Sequence, residues 1–307
     1  MTTQQSAYQR EPLRAWRQFH SRDIDEARAL TNAAVVPEGA TQVSVLEAFA
    51  GESPMALLPE ANTSFGAAEA DGKLWLYGGY HGVPHHYSRE GQSAALFRFD
   101  PEAGEWARLD ASGEMAVGLQ SVTLDAVGDK LIAVGGMQAV NGEGEGADLR
   151  SVDRVAAFDP ATQSWAQLPA LPAARSSHDA VAIGDRLYVV GGWALGESSA
   201  DGSGTGRGGT WASTMAVLDT SGESPAWTEL EQPFQRRALA TAAVGDKLYA
   251  IGGMGPDGMS NRVDVYDTEA GTWSEGPAFP GFAFGMDAIA YRGKLFAVGL
   301  EGKVYRL

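Results

Sequence analysis

The sequence places several residues that could bind a ligand or a metal in one short stretch, HGVPHHYSR, residues 81–89. Three of the five histidines of the chain lie here, at His81, His85 and His86. Three imidazoles are a ligand set that suits Zn²⁺ or another borderline metal. His85 and His86 are adjacent, however, so their side chains point apart in an extended loop, and no carboxylate is fixed beside them. The alternative to a metal site is a solvated loop whose histidines contact a polar ligand.

Aromatic and basic residues accompany these histidines. Tyr80, Tyr87 and Arg89 flank or belong to the same stretch, and Trp193 begins another long loop further along the chain. We expect these four residues, together with His81, to contact a ligand, because residues of this kind on the loops of a rigid scaffold commonly carry function.

A second group of residues is suited to binding an anion and exchanging a proton. Arg175, Arg236 and Arg237 belong to a chain whose formal net charge is -16, so a place where they meet would be a positive spot on an acidic protein. Such a spot suits a carboxylate or a phosphate, which a guanidinium binds through parallel hydrogen bonds. His178 lies three residues after Arg175, and its imidazole could donate or accept a proton near neutral pH.

A repeated phrase indicates which elements position these residues. GDKLYAIGG, residues 245–253, recurs as GDKLIAVGG ending at Gly136, GDRLYVVGG ending at Gly192 and DGKLWLYGG ending at Gly79, with a fainter copy, RGKLFAVG, ending at Gly299. The first glycines of successive copies lie 57, 56, 61 and 47 residues apart. Recurrence at a nearly fixed period is typical of a repeat architecture.

Each copy is followed by a second phrase, in which an apolar run ends in Asp and a turn leads to Trp. The copies read FRFDPEAGEW, AAFDPATQSW, VLDTSGESPAW and VYDTEAGTW. The turn residues join two strands as a hairpin, and a Gly-Asp or Asp-Gly turn joins the glycine phrase to the small apolar run before it. The unit is therefore four short strands, a to d, with strand b ending in Gly-Gly and strand d beginning at Trp.

This unit resembles the kelch repeat of β-propellers, and the resemblance covers residues 55–307. It implies an all-β propeller of five four-stranded blades. The paired glycines would let one blade approach the next closely. The large indole rings would fill the gaps between blades, and they belong to Trp106, Trp165, Trp227 and Trp273. The Arg-x-x-His phrase at 175–178 is common in kelch repeats, where it often only lines the channel, so its functional interpretation has a structural alternative.

Closing the ring requires a strand from the N-terminal side, because the last copy ends at Leu307 before a fifth strand d. We expect PMALLPEAN, residues 54–62, to supply this strand to the last blade and so to remove the exposed edges. VSVLEAF, residues 43–49, resembles a strand c and does not fit this scheme. A sixth, degenerate blade built from the N-terminal segment is therefore the alternative.

Residues 1–40 are predicted to form an N-terminal extension, distinct from a propeller domain of residues 41–307. Apolar residues recur here at the steps typical of an amphipathic helix, and they are Leu13, Trp16, Phe19, Ile24, Ala27 and Leu30. We expect this helix to pack over the side of the propeller or over the mouth of its channel. Contact with a membrane or a partner protein is the alternative.

Composition excludes several classes of function. The negative charge repels nucleic acid phosphates and anionic membranes. No apolar run reaches the length of a membrane span, and the N-terminal residues lack the pattern of a secretory signal. The chain has no cysteine, which excludes disulfides and thiolate metal sites. We expect a cytoplasmic monomer that binds neither nucleic acid nor membrane and needs no cofactor, apart from the divalent metal considered above.

The long loops of such a propeller all follow strand b and open on one face, at residues 80–95, 137–152 and 193–213. We expect an acidic small molecule or a protein segment to bind at this loop-rich face. The alternative is a small-molecule enzyme at the same place, similar to the bacterial sialic acid mutarotase, with Arg175, His178, Arg237 and a carboxylate from a loop as its working residues. The sequence leaves open whether the protein is an enzyme.

Overall fold

A computed structural model describes residues 41–43, 57–83, 86–110, 113–196, 209–299 and 303–307. It contains five antiparallel sheets whose central path has four strands, arranged as the blades of a β-propeller. The predicted fold class is therefore confirmed, and the blade number is five rather than the six of the alternative.

Each blade runs from an inner strand at the channel to an outer strand. Blade 1 contains β2 (Gly66–Ala70), β3 (Lys73–Tyr77), β4 (Ala95–Asp100) and β5 (Glu105–Asp110). Blade 2 contains β6 (Thr123–Val127), β7 (Lys130–Val134), β10 (Val155–Asp159) and β11 (Ser164–Gln167). Blade 3 contains β12 (Ser176–Ile183), β13 (Arg186–Ala194), β15 (Thr214–Asp219) and β16 (Ala226–Glu231).

Blades 4 and 5 follow the same plan. Blade 4 contains β17 (Ala240–Val244), β18 (Lys247–Ile251), β21 (Val263–Asp267) and β22 (Thr272–Glu275). Blade 5 contains β23 (Asp287–Tyr291), β24 (Lys294–Val298), β25 (Val304–Arg306) and β1 (Thr41–Val43). The loops carry short strands, β8 (Met137–Ala139), β9 (Leu149–Ser151), β14 (Thr210–Trp211), β19 (Met254–Gly255) and β20 (Gly258–Met259), and two 3₁₀ helices, Arg89–Gly91 and Gly113–Ala116.

The aspartate that ends each third strand organises the turn that follows it. Asp159 Oδ1 accepts hydrogen bonds from the N–H groups of Ala161 (2.8 Å) and Thr162 (3.2 Å). Its Oδ2 accepts a hydrogen bond of 2.9 Å from Nζ of Lys130, which belongs to the glycine phrase of the same blade. Equivalent ion pairs join Lys73 to Asp100, Arg186 to Asp219 and Lys247 to Asp267. The two recurring phrases of the sequence therefore meet in space.

The paired glycines at the end of each second strand, called glycine doublets below, join each blade to the next. The N–H of the second glycine donates a hydrogen bond to the carbonyl that precedes the inner strand of the following blade: Gly79 to Leu119 (2.7 Å), Gly136 to Arg175 (2.8 Å), Gly192 to Arg236 (2.8 Å) and Gly253 to Ala283 (2.6 Å). All eight glycines have φ between +59° and +110°, a region that favours glycine. A Cβ on Gly191 would lie 2.5 Å from the carbonyl oxygen of Arg236. The predicted close approach is confirmed.

Three of the four predicted tryptophans lie between blades, whereas Trp106 packs against side chains of its own blade and of the segment that leads into it. The ring of Trp165 in blade 2 lies 5.1 Å from that of Tyr77 in blade 1. Trp227 in blade 3 donates from Nε1 to the carbonyl of Pro169, which follows blade 2, at 2.8 Å. The indole of Trp273 in blade 4 likewise donates to Glu231 at the end of blade 3, at 3.1 Å. Apolar clusters with members from two successive blades surround these contacts.

The last blade is completed by an N-terminal strand, but not by the one predicted. β1 pairs antiparallel with β25, with Thr41 opposite Arg306 and Val43 opposite Val304. Residues 57–62 of the predicted strand form no strand and lead into blade 1 instead. The prediction was wrong because it looked for a substitute for Trp, whereas an outermost strand is held by backbone hydrogen bonds and requires no particular side chain.

Some sequence predictions fall on residues outside the described part. These are the helix within residues 1–40, the domain boundary at residue 40 and residues 44–49 of the VSVLEAF stretch. Within the residues that the structure describes, no helix has the length and apolar character needed to cross a membrane.

Replacing Gly191 by Ala tests the close approach between blades. The substitution combines a strained φ of +66° with a clash against the carbonyl of Arg236. Gly184→Ala is the matched control, since Gly184 has φ +60° but nothing within 4 Å of its added Cβ. We expect Gly184→Ala to lower the free energy of unfolding by about 1 kcal/mol and Gly191→Ala to lower it by at least ~2 kcal/mol more. Equal losses in denaturant titrations would show that the blades are not closely packed here.

Candidate functional site

A left-handed residue at the start of each inner strand sets the direction of the side chains around the channel mouth. These residues are Ser64, Ser121, Ser177, Ala238 and Gly285, with φ between +50° and +58°. The N–H of Ala238 donates to the carbonyl of Ser177 at 2.7 Å, and the N–H of Gly285 donates to the carbonyl of Ala238 at 3.1 Å. These hydrogen bonds connect the starts of the inner strands of blades 3, 4 and 5. Non-glycine residues seldom adopt this conformation, and it often accompanies functional sites.

The residue before each left-handed position pairs with the residue that follows a glycine doublet. Thr63 pairs with Tyr80 and Gln120 with Met137, while Ser176 pairs with Trp193 and Arg237 with Met254. The b-to-c loops and the starts of the inner strands therefore form one face. This arrangement brings the predicted residues Tyr80, Trp193 and Arg237 to the same level of the ring.

Arg237 lies against aromatic rings contributed by blade 3, its long loop and the connection to blade 5. Its guanidinium carbon is 4.2 Å from the ring centroid of Trp193, 5.8 Å from that of Phe284 and 6.0 Å from that of Trp211. The rings of Trp193 and Trp211 are themselves 5.6 Å apart. Cation–π attraction of this kind is strengthened where water is excluded.

The guanidinium of Arg237 is charged but lacks an anionic partner among the described residues. Its Nε is buried with no hydrogen-bond acceptor. Burial lowers the pKa of Arg237 to about 10, and the only charge that opposes this shift is that of Tyr87. Arg237 therefore remains protonated at neutral pH, with donors available to a ligand.

Tyr80 and Tyr87 pack against each other in the loop of blade 1, where Tyr80 is buried and the charge of Tyr87 acts on Arg237. Their rings are 5.1 Å apart in an edge-to-face arrangement, and the hydroxyl of Tyr80 donates to the carbonyl of His86 at 2.8 Å. Tyr87 also packs against an apolar cluster, which contains Met137, Ala139, Leu149, Trp193 and Leu195. The loop of blade 1 thus reaches over blade 2 to the rings of blade 3.

The long loops are tied to one another by hydrogen bonds. Gln92 donates from Nε2 to Met137 O (2.9 Å) and accepts at Oε1 from Ala139 N–H (2.8 Å). Ser151 Oγ accepts from the N–H of Leu195 at 2.9 Å, which joins the loops of blades 2 and 3. Arg89, predicted to bind a ligand, donates from Nη1 to the carbonyl of Val140 at 2.6 Å. In this structure Arg89 therefore helps to hold two loops together.

Arg175 and Arg236 do not lie at the mouth with Arg237. Both are buried. Arg175 donates from Nη1 to Thr214 O at 2.9 Å, and Arg236 donates to Gly252 O at 2.8 Å while its other nitrogen pairs with the buried carboxylate of Asp264. The two arginines satisfy carbonyls inside their own blades, and the predicted cluster of three at one spot is not observed.

His178 is buried rather than exposed at the channel mouth. Its Nε2 lies 3.3 Å from the hydroxyl oxygen of Thr123. Burial and the nearby charge of Arg175 lower the pKa of this imidazole to about 3. It is neutral at physiological pH and packs beneath the glycine doublet of blade 2. This position argues against the acid–base role predicted for His178 and agrees with the structural alternative.

The predicted metal ligands are only partly visible. His81 and His86 are exposed, and His85 lies outside the described residues. Within the described ranges, no group of three histidine, aspartate or glutamate side chains is placed to hold a metal ion. A metal site in the 81–89 stretch stays a prediction.

The sequence did not point to two residues of this site. Phe284 occupies in blade 5 the position that Arg237 occupies in blade 4, directly before the left-handed residue. An alignment of the inner strands of the five blades would have shown that Phe284 is equivalent to Arg237. Trp211 stands in a loop with no repeat signature, and only its pairing with Trp193 in β13 places it here.

Carboxylates of the inner strands lie deeper along the channel. Asp179 in blade 3 accepts hydrogen bonds at Oδ2 from the N–H (2.6 Å) and hydroxyl (3.0 Å) of Thr241 in blade 4. Burial raises the pKa of Asp179 to about 8, and the charge of Asp287 across the channel adds to the rise. Burial also raises the pKa of Asp125 to about 7. The pKa of Asp287 is raised by burial as well.

Comparison with known proteins gives the same architecture. A family model described as the KLHDC2/KLHL20/DRC7 Kelch-repeats domain matches residues 50–192, and the Kelch motif matches residues 235–280. Among solved structures, one titled "Structure of YjhT" superposes with a TM-score of 0.60 over 80% of this chain and 74% of that chain. Its 16% sequence identity means that this likeness concerns the fold alone.

Curated relatives carry the same repeats. Kelch-like protein terF of Aspergillus terreus is 27% identical over 249 residues, covering 79% of this chain and 50% of that protein. Human Kelch domain-containing protein 8B is 32% identical over 145 residues, covering 47% of this chain and 39% of that protein. The chain thus spans about half or less of the length of these relatives.

The channel carboxylates predict that stability falls as pH rises toward about 8. A carboxyl with a raised pKa holds its proton more tightly in the folded protein than in the unfolded chain, so its contribution to stability is complete below the ordinary pKa of 3.8 and is lost progressively until the pH passes the folded values of about 7 and 8. We expect the melting temperature of the protein to decrease from pH 6 to pH 9 and to decrease less in Asp179→Asn.

Asp257→Asn is the matched control, since Asp257 is exposed in the turn between β19 and β20. It should follow the profile of the unsubstituted protein. If Asp179→Asn also follows that profile, the carboxylate of Asp179 is not held protonated in the channel.

Proposed function

Because this chain belongs to the kelch-repeat family of β-propellers, we propose that it is a protein-interaction module that binds an acidic segment of a partner protein at its loop-bearing face. Kelch propellers commonly mediate protein interactions. In this proposal the central contact is an ion pair between Arg237 and a carboxylate of the partner.

The observation that carries the proposal is the state of the Arg237 guanidinium. It is largely buried against the rings of Trp193 and Phe284, yet no described residue accepts a hydrogen bond from its Nε. A buried donor without an acceptor is costly. A carboxylate that approaches the edge of the guanidinium would satisfy it with a charge-assisted pair, while the rings keep the guanidinium plane fixed.

The residue types around Arg237 favour a protein segment over an isolated anion. Tryptophan, tyrosine and arginine are the residues most enriched at energetic centres of protein interfaces. Trp211 and Tyr87 are half-buried, so a segment that places an apolar side chain next to its carboxylate would contact ring surface as well as the charge. The hydrogen bonds between the loops reduce the ordering cost of binding.

Because the rest of the chain is acidic, Arg237 is a place where an acidic segment can be bound selectively. The formal net charge of -16 disfavours acidic partners in general. An acidic segment gains only where its carboxylate reaches Arg237, so recognition depends on local fit. The enzyme alternative is not carried further, because the imidazole that it requires lies buried beneath Gly135.

Selection from a phage-displayed library of short random peptides tests this function. We expect enriched peptides to carry Asp or Glu next to an aromatic or aliphatic residue. Their affinity, measured by fluorescence polarisation, should fall about tenfold or more in Arg237→Gln, as expected for the loss of a charged hydrogen-bonded pair.

Arg186→Gln is the control for charge, because Arg186 is an exposed arginine at the opposite end of strand β13 and pairs with Asp219. It should leave peptide affinity unchanged. Peptides that bind Arg237→Gln as well as the unsubstituted protein would contradict the proposal. Thermal stabilisation by sugar acids or phosphates, lost in Arg237→Gln, with no peptide enriched, would assign the same site to a small acidic ligand instead.

A further inference from the structure

The ring has one junction between blades that is built differently from the others. Each blade has a forward face, defined here as the face turned toward the next blade in chain order. The residue just before the first glycine of each doublet lies on this face: Tyr77, Val134, Val190 and Ile251 in blades 1 to 4 are each 0% exposed, whereas Val298 in blade 5 is 39% exposed.

Other apolar residues on the forward face of blade 5 are exposed as well. Ile289 is 61% exposed, whereas Ala242, its counterpart in β17, is buried. Tyr291 at the end of β23 is 47% exposed, whereas Val127 at the end of β6 is buried. An apolar patch of this kind on a protein surface marks a place where something binds.

Among the described residues, the facing side of blade 1 packs within its own blade rather than against blade 5. Leu76, Ala95 and Phe97 form a cluster with side chains from blade 1 itself and from the segment that leads into it, including Leu58 and Phe65. The other junctions each have an apolar cluster that combines two successive blades. Among the described residues, no such cluster joins blades 5 and 1. We call the space between them the seam.

The course of the chain brings the N-terminal residues to this seam. β1 is the outermost strand of blade 5, and the next described segment begins at Leu57 and leads into blade 1. The residues that precede Thr41 are therefore attached at the outer edge of blade 5. The ten residues 31–40 can span up to about 33 Å, whereas β1 and the inner strand β23 are three strand spacings, or about 14 Å, apart.

The composition of the N-terminal residues suits the seam in both hydrophobicity and charge. Apolar side chains recur along residues 13–30, and they include Trp16 and Phe19. Residues 13–30 contain four arginines and three acidic residues, a formal charge of +1 within a chain of net charge -16. Glu69 of blade 1 is exposed on one side of the seam. Opposite charges at the rim would favour this placement.

We propose that residues 13–30 of this chain pack into the seam between blades 5 and 1, where Trp16 and Phe19 cover Ile289, Tyr291 and Val298. The segment takes the place of the interblade core that the described residues lack at this junction. This inference is independent of the function proposed for Arg237.

Thiol labelling tests the placement directly, because the chain contains no cysteine and each introduced cysteine is unique. The full-length protein carries Val298→Cys, and its rate of reaction with a thiol reagent is compared with that of Asp129→Cys, whose side chain is 86% exposed in a turn of blade 2. We expect Val298→Cys to react at least tenfold more slowly. Adding Trp16→Ser and Phe19→Ser should raise its rate to near that of Asp129→Cys.

Gln18→Ser, within the same segment, is the control and should leave the rate unchanged. Circular dichroism establishes that each variant is folded, and Asp129→Cys gives the rate of an exposed thiol. The proposal is overturned if Val298→Cys reacts as fast as Asp129→Cys in the full chain, or if its protection persists with Trp16→Ser and Phe19→Ser. Protection that is lost on dilution, with the N-terminal residues unchanged, would overturn it in favour of a second copy of the chain.

Discussion

The hydrogen bond from the second glycine of each doublet to the next blade is the constraint on which the rest of the structure depends. It is repeated at four junctions with distances between 2.6 and 2.8 Å. The donor can reach its acceptor only because both glycines adopt positive φ and present no Cβ to the facing carbonyl. Each junction is thus fixed at the mouth of the channel, where the loops begin.

The same constraint determines which side chains reach the mouth. The carbonyl that accepts the glycine hydrogen bond belongs to Arg236, and the next residue along the chain is Arg237. Neighbouring residues of an extended chain point to opposite sides, so Arg236 turns inward to Asp264 and Arg237 outward to the rings. The left-handed Ala238 then redirects the chain into β17. Residues 236–238 therefore both join blades 3 and 4 and place the guanidinium of Arg237 at the mouth of the channel.

Much of the fold could be predicted because its signals are periodic and local. The glycine phrase and the Asp-to-Trp phrase defined strands b, c and d, since the turns and close contacts permit few other residues. The site was less predictable. Arg175, Arg236 and Arg237 are alike in sequence, and only the bend at the strand start separates two buried structural arginines from the one at the mouth. That bend uses Ser177 and Ala238, residue types that do not signal positive φ. The N-terminal strand was misplaced because its backbone pairing leaves no side-chain signature.

Hydrogen exchange of the glycine amides tests the central constraint most directly. With glycine-selective ¹⁵N labelling, the four second glycines of the doublets can be followed by NMR beside the turn glycines Gly184 and Gly245. If their hydrogen bonds hold the blades together, the amides of Gly79, Gly136, Gly192 and Gly253 should exchange only through global unfolding and rank among the slowest. Exchange as fast as that of Gly184 and Gly245 would contradict the account, since the blades would then separate without unfolding.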